Sequence, residues 1–229
     1  ENSSRRMKYL ICLILLIKKI LFNKNLTVFA FQANLYCILV CNIFGVKIIT
    51  RSNSSPSGWS KNNIKLLIYK YFLNKADDVM VNSLEFKNQM KKYFGVNSKC
   101  IYNPLNKKEI IKKSKEKTNN IFGKEKCLKI INLGRFVEQK DQITLIKALV
   151  LLKNKIKFKA NIIGRGELKH KLNKYINENK LSKNIKLINF KNNPYKYLKQ
   201  SDIFILTSTY EGLPNVILEA LVLKKFVIS

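Results

Sequence analysis

Histidine is almost missing from this 229-residue sequence, where His170 is the single example. It stands in a polar segment that reads as a surface helix, so neither a histidine-based metal site nor a Ser-His-Asp triad has anything to rest on. Acidic residues are also scarce, with 14 Asp+Glu against 44 Lys+Arg and a formal net charge of +30. Such an excess implies an anionic partner: nucleic acid, an acidic membrane face or a charged substrate. Part of it is compositional, since lysine, asparagine and isoleucine are abundant along the whole chain. The charge is spread out, and there is no RNP-type aromatic motif, zinc-finger spacing or focused basic stripe, so nucleic acid is not the expected partner. The five cysteines, Cys12, Cys37, Cys41, Cys100 and Cys127, are odd in number and match no zinc or redox spacing, which fits a reducing cytoplasm. A bilayer-spanning run is missing as well. The uninterrupted apolar stretch 9–17 falls far short of the roughly 20 residues a membrane helix needs.

What is present suffices for real cores, with 46% hydrophobic residues in a length that suits one large or two small domains. No internal repeat appears. Residues 7–22 are apolar after a basic start, and no small-residue cleavage site follows, so they read as a core helix, with an interfacial helix as the alternative. Strands are expected at 26–31, 46–50, 78–81 and 99–102, separated by helices at 34–44, 62–73 and 84–94. Gly45 and Gly95 read as helix ends and Ser83 as an N-cap. The polar loop Arg51-Ser52-Asn53-Ser54-Ser55-Pro56 follows a strand on its carboxyl side, where open parallel sheets bind ligands. Residues 107–126 are dominated by lysine, asparagine and glutamate and read as a linker. Beyond it the alternation resumes, with strands at 127–132, 159–163, 185–188 and 202–206. Alternation of this kind predicts parallel sheets covered by helices. Gly164-Arg165-Gly166 is a weak phosphate signal and reads as turn geometry.

The most informative stretch is 208–220. A buried strand ends, Gly212 and Pro214 break it, and Val216, Ile217, Ala220 and Leu221 recur at helical spacing from Asn215. Amide groups at such a helix start attract phosphate. Glu211 stands just before the loop and Glu219 about two turns into the helix. Carboxylates beside a phosphate site make sense as acceptors for sugar hydroxyls.

Tyr210-Glu211-Gly212-Leu213-Pro214-Asn215-Val216-Ile217-Leu218-Glu219-Ala220 closely resembles the donor-site motif of retaining glycosyltransferases of the GT-B fold, family 4, also called glycosyl transferases group 1. Leu133-Gly134-Arg135-Phe136-Val137-Glu138-Gln139-Lys140-Asp141 matches that family's phosphate-binding loop. Ala76-Asp77-Asp78-Val79-Met80-Val81-Asn82-Ser83 and Ile101-Tyr102-Asn103-Pro104 match patterns in its N-terminal half. The resemblance implies an α/β, GT-B-like protein: two Rossmann-type parallel-sheet domains with a cleft between them, both incomplete here. Residues 1–106 would form a partial acceptor-side domain, 107–126 a linker and 127–229 a truncated nucleotide-sugar domain.

The resemblance also assigns roles. Arg135, Lys140 and Glu211 would be catalytic, with the two cations on the diphosphate and Glu211 on the transferred sugar. Gly134, Gly212, Leu213, Pro214, Asn215 and Val216 would shape and line the diphosphate site. Glu219 would hold the ribose, and backbone atoms near Phe190 would read the base, although Asn189 replaces the family's usual Gly. No metal is expected, since cations and a helix terminus take its place and the chain has no Asp-x-Asp motif. No cofactor is implied beyond a UDP- or GDP-sugar co-substrate. The acceptor would be a glycan or lipid-linked saccharide in bacterial surface polysaccharide (lipopolysaccharide or capsule) or glycolipid synthesis. A cytoplasmic protein, peripheral on an anionic inner membrane face, is implied. A basic nucleic-acid-binding protein and a non-catalytic relative remain as other classes. The second of these conflicts with the intact set Arg135, Lys140, Glu211 and Glu219. Lys224-Lys225-Phe226 departs from the small residue and Pro of relatives and reads as a loop variation.

Overall fold

The computed structural model describes residues 5–31, 33–53, 56, 59 and 62–229. The chain folds as two compact units, Glu1–Asn103 and Pro104–Ser229.

The first unit runs α1 (Arg5–Phe22), β1 (Thr27–Ala30), α2 (Asn34–Phe44), β2 (Lys47–Ser52), α3 (Asn63–Leu73), β3 (Asp78–Val81), α4 (Leu84–Phe94) and β4 (Lys99–Cys100). Its strands lie in the order β1-β2-β3-β4, all parallel. The helix ends follow local chemistry. Asn62 accepts from the amides of Ile64 and Lys65 at the start of α3, and Ser83 accepts from that of Phe86 at the start of α4. Gly45 and Gly95 close α2 and α4 at φ 66° and 67°, a left-handed conformation that favours glycine. Asp77 locks β2 to the turn before β3: its carboxylate accepts from the Ile48 amide at 2.7 Å. The core gathers Ile38, Ile48, Val81, Phe86, Met90 and Phe94.

The core-helix reading of residues 7–22 holds for one face only. Ile20 is fully buried, and Leu13, Leu16 and Ile17 pack beside it, whereas Leu10, Ile14 and Phe22 are exposed. No described helix is long and apolar enough to cross a membrane. Of the polar loop after β2, Ser54 and Ser55 lie outside the described residues.

The second unit begins with α5 (Lys107–Ser114), which corrects the linker reading. Asn106 caps α5 by accepting from the Glu109 amide. Ile110 is 4% exposed, and Phe122, further along the supposed linker, is 3% exposed. The segment contributes to the core rather than bridging two cores, because its few apolar residues fall where they can be buried.

Then follow β5 (Leu128–Leu133), α6 (Gln142–Leu152), β6 (Phe158–Gly164), α7 (Lys169–Glu178), β7 (Ile185–Asn189), α8 (Tyr195–Leu198), β8 (Ile203–Ile205), α9 (Asn215–Val222) and β9 (Phe226–Ile228). The sheet order is β7-β6-β5-β8-β9, again all parallel. Both faces are covered. Ile130, Ala160 and Ile162 pack with Leu145 and Ile146 of α6 and Leu172 of α7. Ile131, Ile163 and Phe204 pack with Leu198 of α8 and Ala220 of α9 on the other side. Burial on both faces is why adjacent apolar residues, such as Ile130-Ile131, Ile162-Ile163 and Ile203-Phe204-Ile205, stand in these strands. The departure at Lys224 to Phe226 is accommodated: Lys224 turns at φ 54°, and the Lys225 ammonium donates to the carbonyls of Lys199 and Ser201, both at 2.7 Å.

The chain leaves β5 toward β6 and β7, then returns to place β8 on the other side of β5. Strand order therefore reverses between β5 and β8, and open parallel sheets bind ligands outside the carboxyl ends at such a switch point.

Candidate functional site

The loops after β5 and β8 meet at this switch point. Gly134 and Arg135 turn the chain out of β5, and a short 3-10 turn, Glu138–Lys140, leads to Asp141. Asp141 holds a left-handed conformation at φ 41° and caps α6, accepting from the Thr144 amide and hydroxyl. Two glycines, Gly164 at the end of β6 and Gly166 just beyond it, allow the turn its path. A Cβ at Gly164 would lie 1.9 Å from the Gly134 carbonyl oxygen, and one at Gly166 would lie 2.4 Å from that of Phe136. The Gly-x-Gly pair thus serves backbone approach.

Lys140 and Glu211 form an ion pair between the two loops, with side-chain exposures of 15% and 21%. Polar contacts knit the loops around it. The Thr207 hydroxyl donates to the Lys140 carbonyl at 3.2 Å. The Thr209 amide donates to the Gln139 carbonyl at 2.9 Å, and the Gln139 side chain donates to the Tyr210 carbonyl at 2.9 Å. Gln142, buried beneath the turn, donates to the Arg135 carbonyl at 2.9 Å. Buried oxygens of Asn132, Gln142 and Ser208 have no hydrogen-bond partner. Unsatisfied groups of this kind are costly and concentrate where a structure serves a ligand or water.

Arg135 stands exposed at the carboxyl end of β5, and among the described residues nothing pairs with its guanidinium. Gly212, Leu213 and Pro214 form the half-buried loop into α9. Pro214 sits at the N-cap, no side chain caps α9, and the Ile217 amide donates to the Pro214 carbonyl at 3.0 Å, so the start of the helix faces that loop. Asn215 is exposed and Val216 packs into the core. Glu219 lies about one turn, ~6 Å, into α9, not two, because the helix begins only at Asn215. Its Oε1 accepts from the Tyr195 hydroxyl at 3.1 Å. Burial raises the Glu219 carboxyl above the usual carboxylate range, and the Tyr195 hydrogen bond pulls it back in part. Burial and the Glu219 charge push the Tyr195 phenol up to about 12.

Phe190 is exposed just past β7. The Arg165 guanidinium, at the end of β6, lies 5.1 Å from its ring centroid. Asn189 accepts from the Lys169 ammonium at 2.7 Å. With β6 between them, β7 and β5 are ~10 Å apart, which sets Phe190 at the far end of the carboxyl edge from α9.

The structure therefore pairs Lys140 with Glu211 directly and arrays Arg135, Gly134, Phe190 and the 212–216 loop along one sheet edge. It draws no bond from Glu219 to the Lys140–Glu211 pair. The sequence did not reveal Gln139, Gln142, Thr207, Thr209, Arg165 or Tyr195. Single polar residues in loops carry no spacing signal, and only the partner across the sheet gives them meaning.

These features define a protein built from Rossmann-type parallel-sheet units, with a cation–carboxylate pair and a helix start without a side-chain cap at one switch point. The sequence matches the profile of the family glycosyl transferases group 1 over residues 112–229, and the chain belongs to that family. It is 37% identical to an uncharacterised glycosyltransferase of Methanocaldococcus jannaschii over 174 residues, 72% of this chain and 42% of that protein. It is 32% identical to the N-acetylgalactosamine-N,N'-diacetylbacillosaminyl-diphospho-undecaprenol 4-alpha-N-acetylgalactosaminyltransferase of Campylobacter jejuni, over 81% of this chain and 52% of that enzyme. The chain spans about half the length of the curated relatives it matches. The fold is GT-B-like. The crystal structure of Anabaena HepE in complex with UDP superposes with a TM-score of 0.72 at 18% identity, over 95% of this chain and 62% of that one.

Proposed function

We propose that this chain carries the donor site of a retaining, metal-independent hexosyltransferase of glycosyltransferase family 4. The donor is a UDP- or GDP-sugar, and the acceptor is a glycan or lipid-linked saccharide of bacterial surface polysaccharide or glycolipid synthesis. The Campylobacter relative is named for transfer onto a diphospho-undecaprenol-linked species, which supports a lipid-linked acceptor. The UDP complex of the Anabaena structure supports a uridine nucleotide. A net charge of +30 favours a cytoplasmic protein peripheral on an anionic membrane face.

The observation that carries the reading is the Lys140–Glu211 pair at the switch point. As the sugar departs, negative charge grows on the distal phosphate of the nucleoside diphosphate. Arg135, Lys140 and the amides at the start of α9 oppose it with charge already in place, without a metal. Glu211, exchanging Lys140 for sugar hydroxyls, orients the transferred ring. Glu219 accepts from the ribose, and Phe190 lies beside the base. The test is a thermal-shift and calorimetric screen of nucleoside diphosphates and nucleotide-sugars. Binding stabilises by mass action, about 2.7 kcal/mol at one hundred times Kd. If no nucleoside diphosphate or nucleotide-sugar raises the melting temperature, the reading fails.

A further inference from the structure

We infer that Tyr195 is a positioning residue that fixes the Glu219 carboxylate for a ribose hydroxyl, so that Tyr195 sets selectivity for ribonucleotides over deoxyribonucleotides at the donor site. The inference rests on the donor reading and extends it to a residue outside the motif.

Tyr195 opens α8, and its hydroxyl donates to Glu219 Oε1 at 3.1 Å. A carboxylate has two oxygens, and among the described residues only Oε1 is engaged. Oε2 is left to accept from a ligand hydroxyl. No lysine or arginine pairs with Glu219 among the described residues. Among the described residues, the phenol is therefore the one group that holds the carboxylate in orientation.

Tyr195 is itself anchored. Asn193 Oδ1 accepts from the Tyr195 amide at 3.1 Å. The Asn193 side-chain amide donates to the Lys113 carbonyl at 2.9 Å and to Glu116 Oε2 at 2.8 Å. The mount thus runs from the end of α5 through Asn193 and Tyr195 to Glu219. A carboxylate held at one oxygen loses less freedom on binding a hydroxyl than one that swings, and pre-organisation of that kind increases discrimination. A site built to bond a hydroxyl rejects the analogue lacking it, because its own acceptor is then left unpaired.

The experiment measures Kd by calorimetry for UDP and GDP, each against its 2'-deoxy and 3'-deoxy forms, on the wild-type chain, Tyr195→Phe and Asn193→Ala. For the wild type, ribose is favoured over one deoxy form by about tenfold, the cost of a lost hydrogen bond to a charged group. Tyr195→Phe lowers that ratio at least ~3-fold by weakening the ribonucleotide and leaving the deoxy form unchanged. Asn193→Ala moves the ratio the same way by less. The ratio is internal to each protein, so a general loss of stability, which weakens both ligands alike, does not imitate it. An unchanged ratio in Tyr195→Phe overturns the inference while UDP or GDP binding keeps the donor reading intact. A wild type that binds neither nucleotide overturns both.

Discussion

Gly164→Ala tests how the fold makes the site. The Gly134 amide donates to the Ile163 carbonyl at 3.1 Å, which draws the turn after β5 down onto the end of β6. A Cβ at 164 would meet the Gly134 oxygen at 1.9 Å and Phe136 Cε1 at 2.9 Å. A carbon-to-oxygen approach closer than ~3.3 Å is repulsive, so the turn must retreat by about 1.4 Å. Phe136 is fully buried and has nowhere to go. Overpacking of a closed site costs ~3 kcal/mol, or a melting temperature lower by about 10 °C for a unit of this size. The Arg135 carbonyl and its bond from Gln142 move with the turn, so nucleoside diphosphate binding should weaken as well. Gly123→Ala is the control. At φ +79° it has no neighbour within 4 Å, so it carries only backbone strain of ~1–2 kcal/mol. Calorimetric melts of both variants decide the matter. If Gly164→Ala melts with or above Gly123→Ala, the close approach of the two strand ends is wrong, and so is the account of why the turn sits where it does.

Glu211→Gln and Lys140→Ala are each expected to abolish measurable sugar transfer with an unchanged circular dichroism spectrum, Lys140→Ala through the loss of a charge-stabilising donor, about 3–4 kcal/mol of barrier, and Glu211→Gln through lost orientation of the sugar; a double variant with normal turnover refutes both roles. Ile110→Ala on α5 should destabilise the second unit by ~2–4 kcal/mol in denaturant melts, whereas a residue in a true linker would cost nothing. The raised Glu219 carboxyl acts in opposite directions on folding and on binding. Its neutral form favours the buried fold, a contribution complete below the unfolded carboxylate range and lost as pH rises through the folded value. Ribose recognition needs the ionised form, so UDP affinity should fall as pH drops through that same value. A 2'- and 3'-deoxy nucleotide titrated in parallel should show no such fall, and equal falls would remove Glu219 from the ribose.

The strands of the second unit were legible because burial on two faces leaves adjacent apolar residues, as at Ile130-Ile131 and Ile162-Ile163, whose side chains enter opposite cores. The loop into α9 was legible because Gly212 and Pro214 interrupt the apolar pattern between β8 and the helix that starts at Asn215. Strand β4 is two residues shorter than expected, Lys99–Cys100: the Ile101 amide still donates to the Val81 carbonyl at 2.8 Å, but its own carbonyl accepts from the Arg51 side chain instead of continuing the ladder.

Helix α5 was hidden for a physical reason that bears on the site. A short helix packed by one side against other helices needs only one or two apolar contacts, and α5 meets that need with Ile110 while lysines dominate the rest. Composition averages such a helix into a linker. Yet the packing of α5 against α8 and α9 is what gives Asn193 its acceptors at Lys113 and Glu116. Tyr195 stands on that mount, and Glu219 on Tyr195. The acid that the motif announces is thus held by a segment the motif does not include. Variation in residues 107–116 should accordingly change nucleotide affinity without touching Arg135, Lys140 or Glu211.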